Sequence, residues 1–266
     1  MTAPSLDQRT IVIMGGTTGL GLSAAKACVA AGASVVLVGR NPDNAASAAA
    51  EIGEAAISVT GDATDSATAE KAIAAGVETF GSVHGLYHVA GGSGRRMGDG
   101  PLHEMTDEGL RATIDLNLNS LIYSNRAAVR HFLANQQNGS ILNMGSVLGW
   151  SPSPAYFSTH AYAAAKSAII GFTKSTAAYY AKSGIRLNVL APALVETPMA
   201  QRAAQDQVIL DFIKTKQPLD GGRIGVPEDC DAAAVFFLSD ASRFVTGQVL
   251  AVDGGWTHSE GQLPST

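Results

Sequence analysis

Short apolar runs alternate with longer stretches whose apolar residues recur at helical spacing. Thr10 to Met14, Ser34 to Val38, Ala56 to Thr60, Val83 to Val89, Ser140 to Met144, Arg186 to Leu190 and Gln248 to Val252 read as strands. Several are apolar almost throughout, the signature of strands covered on both faces. Between them, helices are expected from the glycine turn to Ala31, over Asn44–Ile52, Asp65–Phe80, Thr106–Asn135 and His160–Lys182, and from Pro227 to Leu238. Asp65 or Ser66 caps the third of these, and Pro227 suits a first helical turn. Ala193 to Gly225 shows no such regularity, Gly92 to Pro101 is a polar loop, and the tail from 257 to 266 is expected to be loose. Strand–helix alternation of this kind predicts an α/β fold. It is a Rossmann-type, doubly wound parallel sheet of about seven strands flanked by helices. No linker, repeat or charge block divides residues 1–266, so a single dinucleotide-binding domain is expected.

Composition narrows the functional classes. With 266 residues, 46% of them hydrophobic and 15% charged, the chain can build a large core. A net charge of −5 argues against general nucleic-acid binding. Cys28 and Cys230 make no disulfide framework, and neither a signal peptide nor a membrane-length apolar run is seen, so a cytoplasmic protein is expected. His84 and His88 are about 13 Å apart on a strand, too far for one ion. No metal site is expected.

The chemistry concentrates at strand ends. Gly15-Gly16-Thr17-Thr18-Gly19-Leu20-Gly21 links the first strand to a helix, which is the context for backbone N–H groups to meet a pyrophosphate. The second strand ends at Gly39-Arg40, where an acid would grip the ribose hydroxyls of NAD. Arg40 instead suits a 2′-phosphate, so NADP(H) is expected over NAD(H), with Asp43 keeping NAD in play. Tyr162 and Lys166 lie four residues apart and share a helix face. Bringing a tyrosine from its usual pKa to neutrality takes about 4 kcal/mol. A neighbouring ammonium supplies part of this and a cationic cofactor more. Without a Gly-x-Ser-x-Gly elbow, Ser146 is a poor hydrolase nucleophile. Arg95 and Arg96 read as a solvated loop rather than an anion site, and His160 as a helix-start residue.

In order along the chain stand Gly15, Gly19 and Gly21; Asp62; Ala90-Gly91; Asn117; Ser146; Tyr162 with Lys166; Pro192 before Thr197-Pro198-Met199; and Val252-Asp253-Gly254-Gly255. By these motifs the sequence resembles the short-chain dehydrogenase/reductase family, in particular its 3-oxoacyl-reductase-like members, from about Thr10 to Trp256. The resemblance implies that Tyr162 is the acid/base, that Ser146 polarises the carbonyl oxygen, and that Lys166 lowers the Tyr162 pKa and holds the nicotinamide ribose. It implies that Asn117 helps to hold a proton-relaying water. Cofactor contacts are implied at Gly15, Thr17, Thr18, Gly19, Leu20, Gly21, Arg40, Asp62, Ala63, Ala90, Gly91, Tyr162, Lys166, Pro192, Val195 and Thr197. A substrate lid over about 197–218 and a homotetramer are implied as well. The chain departs from the family pattern at Met14, at His88-Val89, at Ala193, and in a longer Ser146–Tyr162 interval.

The expected function is NADP(H)-dependent hydride transfer between nicotinamide and a small-molecule carbonyl or secondary alcohol. The alternatives are an NAD-dependent sugar, polyol or alicyclic alcohol dehydrogenase, and a non-catalytic NADP-binding regulator. The full set of Asn117, Ser146, Tyr162 and Lys166 argues against the regulator.

Overall fold

The computed structural model describes residues 4–262. Seven parallel strands form one sheet in the order β3-β2-β1-β4-β5-β6-β7. They are β1 (Thr10–Met14), β2 (Ser34–Gly39), β3 (Ala56–Thr60), β4 (Gly85–His88), β5 (Gly139–Met144), β6 (Ile185–Pro192) and β7 (Val249–Val252). Parallel pairing requires crossovers, and the helices that make them cover both faces. The order reverses between β1 and β4, which opens a crevice beyond their carboxyl ends.

Each strand divides its side chains between two cores. Ile11, Ile13, Val35 and Leu37 face Ala24, Ala25 and Cys28 of α1 (Gly19–Ala30). Val12, Val36, Val38 and Leu86 lie in the other core, with Ala69, Ala72 and Ile73 of α3 (Ser66–Phe80). Between these two helices, α2 (Pro42–Ile52) starts at Asn41, whose side chain accepts from the Asn44 N–H. Asp65 caps α3 by accepting from the Ala67 N–H.

The expected helix over Thr106–Asn135 is interrupted. It begins as α4 (Asp107–Ile114), capped by the Thr106 hydroxyl, passes through a π turn at Asp115–Asn119, and continues as α5 (Ser120–Ala134). Such turns leave carbonyls free for other donors and often mark functional sites. Here the Ser120 hydroxyl donates to the Leu116 carbonyl, and the Asn117 amide donates to that of Thr113. The stretch after β6, which lacks sequence periodicity, contains α7 (Gln201–Ala204) and α8 (Gln207–Lys216). Before them comes α6 (His160–Tyr180), and α9 (Asp231–Leu238) follows a 3₁₀ turn at Pro227–Cys230.

The expected loose tail is tied down as far as it is described. Asp253 accepts from the Thr257 N–H and hydroxyl, Lys216 donates to the Ser259 carbonyl, and the Gln262 N–H reaches the Thr215 hydroxyl at 2.6 Å. Residues 263–266 of that tail lie outside the described residues. Among the described residues no helix is long and apolar enough to cross a membrane, and no cluster of metal-ligating groups occurs.

Candidate active site

A cavity of about 730 Å³ runs along the carboxyl ends of the strands, with Arg40 and Asp62 at one end and Arg95, Arg96 and Arg202 at the other. Its size suits a small-molecule or cofactor site. Every expected cofactor contact lines it except Gly21. A Cβ on Gly21 would lie 2.0 Å from the Gly15 carbonyl oxygen, so that glycine lets the turn close beneath the site. Gly15 sits at φ 83°, where a side chain would also strike the Ala90 backbone at 2.7 Å. The two neighbouring strand ends are stitched together here. The Val89 and Ala90 N–H groups both donate to the Met14 carbonyl at 2.8 Å, while the Met14 side chain is buried. The departure at Met14 thus fills core and leaves the backbone linkage intact.

At one end of the cavity, Arg40 follows β2 and is exposed, whereas Asn41 is occupied in capping α2. Partial burial favours the neutral form of Asp62. The Thr64 N–H and hydroxyl, donating to its Oδ1, and the Arg40 guanidinium outweigh this and hold its pKa below the usual carboxylate value. The turn also fits a phosphate-bearing dinucleotide. Thr18 begins α1 without a side-chain cap, leaving the helix N-terminus facing the cavity. Gly39 leaves room as well: a Cβ there would sit 2.4 Å from the Thr17 hydroxyl.

Tyr162, Ser146 and Lys166 meet midway along the cavity. Lys166 is buried, donates to the Met144 carbonyl at 2.8 Å, and lies 5.5 Å from the centre of the Tyr162 ring. Burial lowers its pKa to about 7. The Tyr162 ring keeps some exposure to the cavity, but its phenol is packed deep in protein, and burial raises its pKa. The Ser146 hydroxyl counters this in part. The expected downward shift is therefore absent from the protein alone. Burial makes Lys166 harder to charge as well, and for the phenol the cost of burial is the larger effect.

Asn117 does not face the cavity. Its amide clamps the loop after β4, donating to the Gly92 carbonyl at 2.9 Å and accepting from the Gly92 N–H at 3.1 Å. A Cβ on Gly91 would lie 2.8 Å from the Asn117 carbonyl oxygen and 3.6 Å from the Lys166 ammonium, so Asn117 stands next to Lys166. Below them His88 is fully buried between the Ser124 hydroxyl, 2.8 Å from Nδ1, and the Ser120 hydroxyl, 3.3 Å from Nε2. Burial, then the Lys166 charge, pushes its pKa down to about 3, so this histidine stays neutral. His84 is instead a strand-entry residue whose Nδ1 accepts from the Thr10 N–H. His160 is the exposed first residue of α6.

Asp99 is the site residue that sequence reasoning missed. Its carboxylate is buried and accepts from the N–H groups of Ala161 and Tyr162, at 3.0 and 2.9 Å. It thereby caps α6 in place of Thr159, whose side chain makes no cap, and fixes the backbone of Tyr162 itself. The separation of more than 60 residues hid this pairing.

The long interval between Ser146 and Tyr162 forms a wall. Phe157 packs edge-on against Trp256 at 5.6 Å, Tyr156 meets Phe212 of α8 at 5.1 Å, and the Trp256 indole donates to the Ser151 carbonyl. Phe157 and Trp256 line the cavity with Leu148, Leu194 and Met199.

The chain is similar in sequence and in fold to known proteins. A family model described as Enoyl-(Acyl carrier protein) reductase, a short-chain dehydrogenase/reductase model, matches residues 15–257. Cis-4-hydroxycyclohexanecarboxylate dehydrogenase of Sinomonas cyclohexanicum is 33% identical over 94% of this chain and 97% of its own. A short-chain type dehydrogenase/reductase from Mycobacterium ulcerans superposes with a TM-score of 0.88 at 34% identity, covering 97% of this chain and 92% of that one. The 3-ketoacyl-(acyl-carrier-protein) reductase of Brucella melitensis, solved with NADH, does so with a TM-score of 0.84 at 29% identity, covering 95% of this chain and all of that one. Motif order, sheet topology and full-length similarity agree, and the chain belongs to the short-chain dehydrogenase/reductase family, oxidoreductases that work with a nicotinamide cofactor.

Proposed function

We propose that this protein is an NADP(H)-dependent oxidoreductase acting on a carbonyl or secondary alcohol, with Tyr162 as acid/base. The observation that carries this is the meeting of Tyr162, Ser146 and Lys166 on one cavity that ends at Arg40. The nicotinamide, when bound, supplies or accepts the hydride. Gly15, Thr17, Thr18, Gly19 and Leu20 hold the pyrophosphate, Arg40 the 2′-phosphate, and Asp62 and Ala63 border the adenine. Ala90, Gly91, Pro192, Val195 and Thr197 frame the nicotinamide side.

On reduction, Ser146 donates a hydrogen bond to the carbonyl oxygen and Tyr162 transfers its phenolic proton there. Oxidation runs the same proton back to Tyr162. Burial favours the protonated phenol, which suits a proton donor. Tyr162 would more readily hold the phenolate needed for alcohol oxidation with a positive charge bound nearby. Lys166 holds the ribose hydroxyls and Asn117 anchors the loop beside it. Residues 197–218, with α7 and α8, act as the lid.

The apolar wall of Phe157, Trp256 and Met199 suits a ring-bearing substrate, and the relative acting on a hydroxycyclohexanecarboxylate supports an alicyclic one. An NAD-dependent alicyclic alcohol dehydrogenase is the second reading, favoured by the NADH in the Brucella relative. We further infer a cytoplasmic homotetramer. Phe244, in the loop before β7, is fully exposed, and Leu250 on the edge strand β7 is 40% exposed, apolar groups suited to contact with a second copy. A monomeric mass by light scattering at micromolar concentration overturns the oligomer. NADPH and NADH oxidation across a panel of cyclic ketones tests the reaction. No turnover with either cofactor refutes it.

A further inference from the structure

We propose that the end of the cavity opposite Arg40 is a head-group site, where the Arg95 and Arg202 guanidiniums bind a carboxylate or sulfonate on the substrate. This deepens the ketone or alcohol reading above and rests on it for the position of the reacting carbon.

Arg95 opens the 3₁₀ turn Arg95–Met97, and Arg202 lies on α7. They are more than a hundred residues apart in sequence, yet both line the substrate end of the same cavity, with Arg96 beside them. Among the described residues, the only carboxylate lining the cavity is Asp62, beside Arg40. Among the described residues, Arg95, Arg96 and Arg202 form no ion pair. Asp99 is the carboxylate that bears on Arg95, but both its oxygens are engaged by the N-terminus of α6. Arg202 donates one hydrogen bond, from Nη2 to the Tyr156 carbonyl, and keeps its other N–H groups.

Arg95, Arg96 and Arg202 are all exposed side chains, and the loss of some hydration with the Arg202 charge pushes the Arg95 pKa down, Asp99 opposing. The two guanidinium charges bear on one another, and Asp99 opposes this without forming an ion pair with either, so an anion meeting both would be favoured. The chain is acidic overall, at −5, so composition alone does not place three arginines here. The planar guanidinium matches an oxyanion bidentately. Phe157, Trp256 and Met199 line the cavity as well, so the matching ligand has an apolar body between its anionic head and its carbonyl.

The test compares 4-oxocyclohexanecarboxylate, 4-oxocyclohexanesulfonate and the neutral 4-methylcyclohexanone with the cofactor-loaded enzyme. One or both anions should show kcat/KM about 10–100-fold above the neutral ketone, and which anion leads identifies the head group. Arg95→Gln and Arg202→Gln should each collapse that ratio, and Arg202→Lys should restore it in part. A ratio near one in the wild type overturns the site while leaving the oxidoreductase reading intact.

A binding arm is independent of turnover. By calorimetry, cyclohexanecarboxylate should bind the cofactor-loaded enzyme at least about tenfold tighter than cyclohexanecarboxamide, and the Arg95→Gln/Arg202→Gln double variant should lose the difference. Equal binding of acid and amide, or an unchanged preference in the double variant, overturns the proposal. If no ketone turns over but this preference stands, the head-group site survives and the assigned reaction does not.

Discussion

The two ends of the cavity both carry arginine, but they are built differently. At one end, Arg40 and Asp62 follow two adjacent strands whose register pairs Gly39 with Thr60. Hydrogen-bonded strands place such residues with little freedom. At the other end, Arg95 sits between Gly94 and Gly98, both at positive φ, and Arg202 rides on a four-residue helix. The difference teaches how firmly each end is fixed by the backbone that carries it. The Arg40 end grows from the sheet, whereas the Arg95 and Arg202 end hangs on loops and a short helix, which can change without disturbing it. Tyr162 stands where the two meet, supported through Lys166 by β5 and through Asp99 by the loop after β4.

The comparison is broken most severely at that meeting point. Tyr162→Phe should lower kcat by about 10²–10⁴-fold while cofactor still binds, because it removes the proton donor and little else. Steady-state rates alongside fluorescence titration of the cofactor check this, and a kcat within a few-fold of wild type would move the acid/base elsewhere.

The sheet-built end is tested next. Arg40→Ala should weaken NADPH about 10–100-fold, from the loss of roughly 1.5–3 kcal/mol, and NADH far less. Equal losses for the two cofactors, or tighter NADH binding in the wild type, would give the end to NAD.

The loop-built end is held by Asp99, and Asp99→Ala should cost about 1–2 kcal/mol of stability in urea denaturation. It should also lower kcat more than it changes the NADPH Kd, since it frees the backbone of Tyr162. Unchanged stability and kcat would reduce the cap to an incidental contact.

The smallest effect lies beneath both ends. His88 has a folded pKa of about 3 against an ordinary value of 6.5. Between those values the unfolded chain binds a proton that the folded one refuses, so stability falls as pH falls. From pH 6.5 to 5.5 this amounts to about 1 kcal/mol. His88→Gln should flatten that part of the stability–pH curve, and an equally steep curve would place the titrating group elsewhere.

Much of this was legible in one dimension. Apolar runs such as Ile11–Met14 declare buried parallel strands, because hydrophobic burial and strand period act locally. The glycines, Arg40, Ser146 and the Tyr162–Lys166 pair could be placed at strand ends or on one helix face from spacing alone. Tertiary structure decided the rest. It brought Asp99 under α6 and Arg95 to the same cavity as Arg202, pairings across more than 60 residues that no local period encodes. It broke the long helix with a π turn, so that the Asn117 amide reaches Gly92. It also set the Tyr162 phenol above its ordinary pKa rather than below. The i, i+4 spacing places an ammonium near a phenol, but the protein packed around both determines how much charge that ammonium keeps.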